Sequence, residues 1–143
     1  MKALSIRAPW WWYILHAGKN IENRDWPTRV RGRVLIHASK WWNEREVAED
    51  IASAEQMFKQ SDRPDLFHLN QNAARSPILL RNFCGRLVGS VEIVDCVAQS
   101  DSPWFVGDYG FVLRNPIAFG GPVAFKGSLG FFSVPDELAR SLQ

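Results

Sequence analysis

Cysteine is scarce. Cys84 and Cys96 are the only two, and neither falls into a metal-ligand spacing with the other or with the three dispersed histidines. That pattern excludes a disulfide-framed fold and argues against a structural zinc site. Two thiols in or near apolar stretches read instead as free and buried, in a reducing compartment. Phosphate-cradling and dinucleotide signatures are missing too. There is no Walker motif, no GxGxxG and no Gly-x-Ser-x-Gly elbow. No metal and no cofactor is therefore expected. No apolar run approaches the ~20 residues needed to cross a bilayer, and no N-terminal signal pattern appears. The expectation is a cytoplasmic protein without a membrane partner.

Net charge is also small, +2 over 143 residues, but it is unevenly spread. Residues 1–45 hold nine Lys or Arg against three acids, and residues 46–143 hold eight against twelve. A basic first third favours a polyanion or a phosphate-bearing ligand. The excess is too modest for a tight duplex binder. What the chain has in quantity is tryptophan, seven in all. A core does not demand so many, and Trp is a stacking platform for bases; for Trp10 to Trp12 a buried core helix is the plainer reading. The length suits one domain, residues 1–143, and a monomer with its own core.

In chain order, Lys2 to Arg7 reads as a first strand. Pro9 fits the first turn of a helix, and Trp10 to Ala17 continues it, apolar on most sides. Gly18 is its C-terminal stop. Asn20 to Arg24 reads as strand two and Gly32 to Ser39 as strand three. Asn43 caps a helix running through Lys59, with Glu46 in capping-box position and Val47, Ile51, Ala54 and Phe58 at helical spacing. Ser61 to Asp65 reads as a polar turn, Leu66 to Arg75 as room for a short helix, and Ser76-Pro77 as the start of another through Asn82. Gly85 to Ala98 is the clearest strand, and Glu92 within it reads as a charge on a sheet edge. Tyr109 to Asn115 is a further strand, ended by Pro116. Ser128 to Val134 is the last strand, followed by a short helix over Asp136 to Leu142. The fold class is mixed α/β (α+β): about six short strands forming a small mixed or closed sheet, with helices inserted after the first and third strands.

The stretch that organises the chain is Gly18-Lys19-Asn20-Ile21-Glu22-Asn23-Arg24. Alternation along a strand puts Asn20, Glu22 and Arg24 on one face. Lys19 is expected at the mouth of that face. An ammonium, a carboxylate and a guanidinium thus gather within six residues, between Pro9-Trp10-Trp11-Trp12 before and Arg29, Arg31, Arg33 and His37 after. In isolation such a run is a surface turn with an ordinary ion pair; its neighbours argue for a site.

Leu4-Ser5-Ile6-Arg7-Ala8-Pro9-Trp10, then Gly18-Lys19-x-x-Glu22-Asn23-Arg24 and Arg31-Gly32-x-x-x-Ile36-His37-Ala38, resemble an ASCH domain. So do Tyr109-Gly110-Phe111-Val112-Leu113 and Lys126-Gly127-x-Leu129-Gly130-Phe131-Phe132. Ala8 stands where the family usually has Gln. The resemblance implies a PUA-like β-barrel with a cleft lined by the motif residues, and a link to RNA or modified nucleosides. The best-defined enzymatic branch removes the acetyl group from acetylated cytidine, with a Lys serving as base for a Thr three residues later and an acid from elsewhere. Lys19 matches that Lys. Glu22 occupies the Thr position, and Asp101 and Asp108 lie only in the general region of the acid, so the nucleophile of that mechanism is missing.

Three readings follow. In a nucleoside amidohydrolase, Glu22 orients water while Lys19, beside Arg24, holds the amide oxygen. In a ribonuclease, Lys19 and Arg24 stabilise phosphate charge and His37 or Tyr109 moves a proton. In a non-catalytic module for single-stranded RNA, Arg7, Lys19, Arg24, Arg31 and Lys40 contact phosphates while Trp10 and Trp26 stack a base. Pro9, Lys126 and Ser128 join the substrate-binding candidates through the motifs that contain them. His37, alone among apolar strand residues, is more often a hydrogen-bonded structural residue than a general acid.

Overall fold

The computed structural model describes residues 1–60 and 77–143, with the side chains of residues 58–60 excepted. Strands β1 (Lys2–Ile6), β2 (Ile21–Arg24), β3 (Gly32–Ala38), β4 (Arg86–Val97), β5 (Tyr109–Ala124) and β6 (Phe131–Ser133) form one sheet in the order β2-β5-β4-β3-β1-β6. Among the described residues only β1 and β3 pair in parallel. A parallel pair needs a crossover, here helix α1 (Trp10–His16) and β2. Helix α2 (Glu44–Gln60) and helix α3 (Pro77–Asn82) lie between β3 and β4, and helix α4 (Asp136–Leu142) ends the chain.

Strand β3 is buried from Val34 to Ala38, on both faces. Its even residues Val34, Ile36 and Ala38 join Leu4 and Ile6 of β1, Trp11 and Ile14 of α1, and Val47 and Ile51 of α2. On the other face Leu35 packs with Ala3, Leu87, Phe119, Val134 and Ala139 under α4. The alternation of a strand thus feeds two cores from one segment. Each fully buried Ile or Leu contributes about 1.5–3 kcal/mol. The half-exposed Arg33–Glu92 pair, 3.3 Å apart, contributes about 0–1 kcal/mol. Apolar burial therefore holds the sheet together, and the surface charges only decorate it.

The sheet curls into a half-barrel. Strands β2 and β6 stand at its two ends and do not pair with each other. Side chains bridge the gap instead. Arg24 Nη2 donates to the carbonyl oxygen of Ser5 in β1 at 2.9 Å. Phe131 of β6 meets Trp26 and Phe111 with ring centroids 5.8 and 6.1 Å apart.

Several expectations need correction. The strand expected to end at Pro116 runs on to Ala124. Pro116 is tolerated because the β4–β5 register shifts between the Glu92–Arg114 and Ser90–Ile117 pairs, where Asn115 adopts φ +53° and no ladder bond is needed from a proline. Glu92 is not an edge charge: β4 is a central strand, and Arg33 on β3 neutralises it. The last strand is three residues long rather than the whole of Ser128 to Val134, because Gly130 at φ +65° turns the chain just before Phe131. Pro9 sits one residue before α1, at its N-cap, rather than inside its first turn. The Asn43 cap holds, with Glu46 N–H donating to Asn43 Oδ1 at 2.9 Å. The turn over Ser61 to Asp65 and the helix over Leu66 to Arg75 lie outside the described residues.

Gly89 of β4 marks the tightest approach in this packing. A Cβ there would stand 2.5 Å from the Ile117 carbonyl oxygen and 2.6 Å from Leu15 of α1. Overpacking of this kind costs about 1–3 kcal/mol. Gly89→Ala should lower the urea midpoint accordingly, and an unchanged midpoint would show that helix α1 does not pack this closely on the sheet.

Candidate functional site

The site begins where α1 stops. Gly18, at φ +72°, takes the left-handed turn that ends the helix. The N–H groups of Ala17 and Lys19 both reach the Tyr13 carbonyl, at 2.9 and 3.1 Å. This turn drops Lys19 inward. Its side chain is 3% exposed, so it lines the cleft from a buried position and not at the mouth. The ammonium donates to the Ile21 carbonyl and lies 3.6 Å from Glu22 Oε1 and 5.7 Å from the Trp10 ring centre.

Strand β2 then presents Glu22 and Arg24 beside it. Glu22 Oε2 accepts from Arg24 Nε at 3.2 Å and Nη2 at 2.8 Å. Because Arg24 Nη2 also holds the Ser5 carbonyl, one chain of contacts runs from Lys19 through Glu22 and Arg24 to β1. Burial pushes the Lys19 ammonium below the usual lysine range; the Glu22 carboxylate opposes that and the Arg24 guanidinium adds to it.

These groups open into a cleft of about 1370 Å³. Trp10, Trp41, Trp104 and Phe125 supply aromatic surface, and Arg7, Lys19, Arg24, Lys40, Arg86 and Lys126 supply positive charge. Glu22 is the only acid among the described lining residues, and it is already shared between Lys19 and Arg24. The Arg7 guanidinium lies over the Trp41 ring, 4.1 Å from its centre, a cation–π contact that fixes both. Asn23 ties down one wall: Nδ2 donates to Trp104 O at 2.9 Å and Oδ1 accepts from Val106 N–H at 3.0 Å. On the opposite wall, buried His37 Nε2 meets the Phe125 carbonyl at 2.7 Å and Nδ1 meets Ser5 Oγ at 3.0 Å. Gly127 lies against that imidazole; a Cβ there would stand 2.6 Å from His37 Cε1.

Of the residues singled out from sequence, Lys19, Glu22, Arg24, Arg7, Trp10, His37, Lys40, Lys126 and Ser128 line this cleft. Four do not. Pro9 is buried beneath it. Trp26 is outside the lining: its ring meets Phe111 and Phe131 at steep angles, and the Arg24 guanidinium lies over it, 5.8 Å from its centre. Arg31 bonds the Thr28 and Val30 carbonyls and pairs with Asp95 at 3.7 Å, away from the cleft. Tyr109 pairs with Arg24 in the β2–β5 ladder and lies outside the lining. Asp101 is exposed, and Asp108 borders a separate shallow depression beside Asp25. Sequence reasoning passed over Ser5, Asn23, Trp41, Arg86 and Trp104. The Ser5–His37 register across β1 and β3 could have drawn attention to Ser5; nothing local marks Arg86. Among the described residues no three His, Cys, Asp or Glu side chains converge as metal ligands.

Removing one member of a buried ion pair costs about 3–5 kcal/mol, because the other charge is left uncompensated. Glu22→Ala should lose stability of that order in urea unfolding. Lys19→Met combined with Glu22→Gln should lose less, since the buried ammonium is gone. A wild-type midpoint for Glu22→Ala would mean that the three charges do not depend on one another.

A family model for the ASCH domain matches residues 4–105. No curated protein matches the sequence. The matched region contains the Lys19–Arg24 strand, the Ser5–His37 pair and three of the four aromatic walls, and stops short of β5 and of the segment bearing Phe125 and Lys126. Since that match spans well over half of its length, the chain belongs to the ASCH domain family, whose fold is PUA-like.

Proposed function

We propose that this single domain, acting as a monomer, binds single-stranded RNA and holds one of its nucleosides in the cleft. The observation that carries the reading is the lining: six cations, one already neutralised acid, and aromatic faces interleaved with them. Arg7, Lys40, Arg86 and Lys126 take phosphates. Trp10, half-buried in the lining, borders the space for a base splayed from the strand, and stacking is worth about 1–3 kcal/mol per base. Each phosphate neutralised releases counterions, so affinity falls as salt rises, with a slope of about 0.7 per contact on single strands. Titrating a labelled oligonucleotide at several salt concentrations tests this. The double variant Arg7→Ala, Lys126→Ala should reduce the slope by roughly 1 to 1.5. Arg31→Ala should leave it unchanged, because Arg31 is spent on backbone carbonyls and Asp95. Equal effects from both would place the RNA elsewhere.

A second reading, hydrolysis of an acetylcytidine-type amide, is favoured by the buried Lys19. Burial lowers its proton affinity and so raises the share of neutral amine near neutrality, which is what a general base requires. If Lys19 is that base, kcat/KM should rise with pH through a pKa below the ordinary lysine value of 10.5 and then level off. Lys19→Met should lower turnover by roughly 10²–10⁴. Full activity in that variant would remove the assignment.

A further inference from the structure

The amidohydrolase reading leaves a gap, since Glu22 stands where a nucleophile would be needed. The cleft contains one elsewhere. We propose that Ser5 and His37 form a nucleophile–base pair that cleaves an acyl ester carried on the ribose of a nucleotide bound in the cleft.

The geometry supports each role. The Phe125 carbonyl oxygen can only accept a hydrogen bond, so His37 Nε2, 2.7 Å away, carries the imidazole proton. Nδ1 of the neutral ring then has its lone pair free, and it faces Ser5 Oγ at 3.0 Å. The hydroxyl proton points at a base whose tautomer and orientation are fixed by a third group, which is the general logic of an activated serine. Burial lowers the proton affinity of His37, against the pull of the Phe125 and Gly85 carbonyls, so the ring is neutral at physiological pH. Ser5 and His37 both line the cleft. The strand register holds them opposite each other, and the absence of a side chain at Gly127 makes room for the imidazole, since a Cβ there would stand 2.6 Å from Cε1. Arg24 Nη2 donates to the backbone carbonyl of Ser5 at 2.9 Å and so helps to hold the segment that carries the nucleophile.

The step balances. Ser5 Oγ attacks the ester carbonyl and its proton passes to His37 Nδ1. The bond from the acyl carbon to the ribose oxygen breaks, and that oxygen takes the proton from His37. Water, deprotonated by the same nitrogen, then attacks the acyl-Ser5 ester; the carboxylic acid leaves and the proton returns to Ser5. The orienting group is a carbonyl and not a carboxylate, so the imidazolium gains less stabilisation than in a charged triad. That suits an ester, with its better leaving group, over an amide. The choice of a nucleotide ester rests on the reading of the cleft as an RNA site.

The test is a fluorophosphonate probe, which loses fluoride as phosphorus bonds to an activated serine, with the adduct located by mass spectrometry on the full chain. Ser5 should be the labelled residue, at least about 10²-fold faster than the exposed Ser128. The rate should rise with pH through a pKa below 6.5 and then plateau, because neutral His37 is the active form. Ser5→Ala should abolish the adduct. His37→Gln, checked for folding by circular dichroism, should slow it by about 10² or more. Single-stranded RNA should protect Ser5. Failure of the folded wild-type protein to label at Ser5, or a flat pH profile, overturns the pair, even where RNA binds normally. Labelling that RNA does not slow leaves the pair standing and overturns the nucleotide ester as its substrate.

Discussion

The Glu22 carboxylate divides its two oxygens between two cations with different surroundings. Oε1 faces the buried Lys19, and Oε2 faces Arg24, which reaches across to β1. A buried ion pair of this kind is no more stabilising than well-packed apolar residues would be. Its return is positional. Through Arg24 it ties β2 to β1 across the open side of the half-barrel, where backbone pairing is absent, and so sets the distance between the two walls of the cleft. The Phe131 contacts with Trp26 and Phe111 close the same seam from the apolar side. Trp26 is therefore structural for the same reason that Arg24 is available to the site.

This arrangement was partly legible from the chain alone. The Gly18 stop, the alternation over Ile21 to Arg24 and the Asn43 cap are local rules, and the structure follows them. The cleft candidates drawn from short contiguous motifs, Lys19, Glu22 and Arg24 above all, also end in one place. What was not legible depends on partners distant in sequence. Arg31 looks like a phosphate contact until its donors are seen to be occupied by Thr28 and Val30. Trp26 looks like a stacking platform until Phe111 and Phe131 arrive from the other end of the chain. Whether burial or the neighbouring carboxylate governs Lys19 is a question of solvent exclusion, which no spacing encodes. Pro116 misled because a proline normally ends central pairing, and only the register shift opposite it removes the need for its missing N–H.

The cleft has two walls with independent moorings. Asn23, on β2, holds residues 104 to 106 by two side-chain bonds, while His37, on β3, holds Phe125. Of the lining cations Arg7, Lys40, Arg86 and Lys126 are exposed, while Lys19 is buried with its carboxylate partner Glu22.

The long β5 strand has a further effect, on solubility. Among the described residues, β2 covers only its Tyr109–Val112 portion, Asn20 O accepts from Leu113 N–H at 2.9 Å, and the outer edge beyond Leu113 carries no neighbouring strand. An uncovered edge of that length is a template for adding a strand from another molecule. Here it is interrupted by Pro116, by the adjacent Gly120 and Gly121, and by Pro122. The prolines and the left-handed bend at Asn115 break the regular extended backbone that an incoming strand would need. The irregularities that make this strand hard to recognise in the sequence are the same ones that keep its edge from acting as a seed for aggregation.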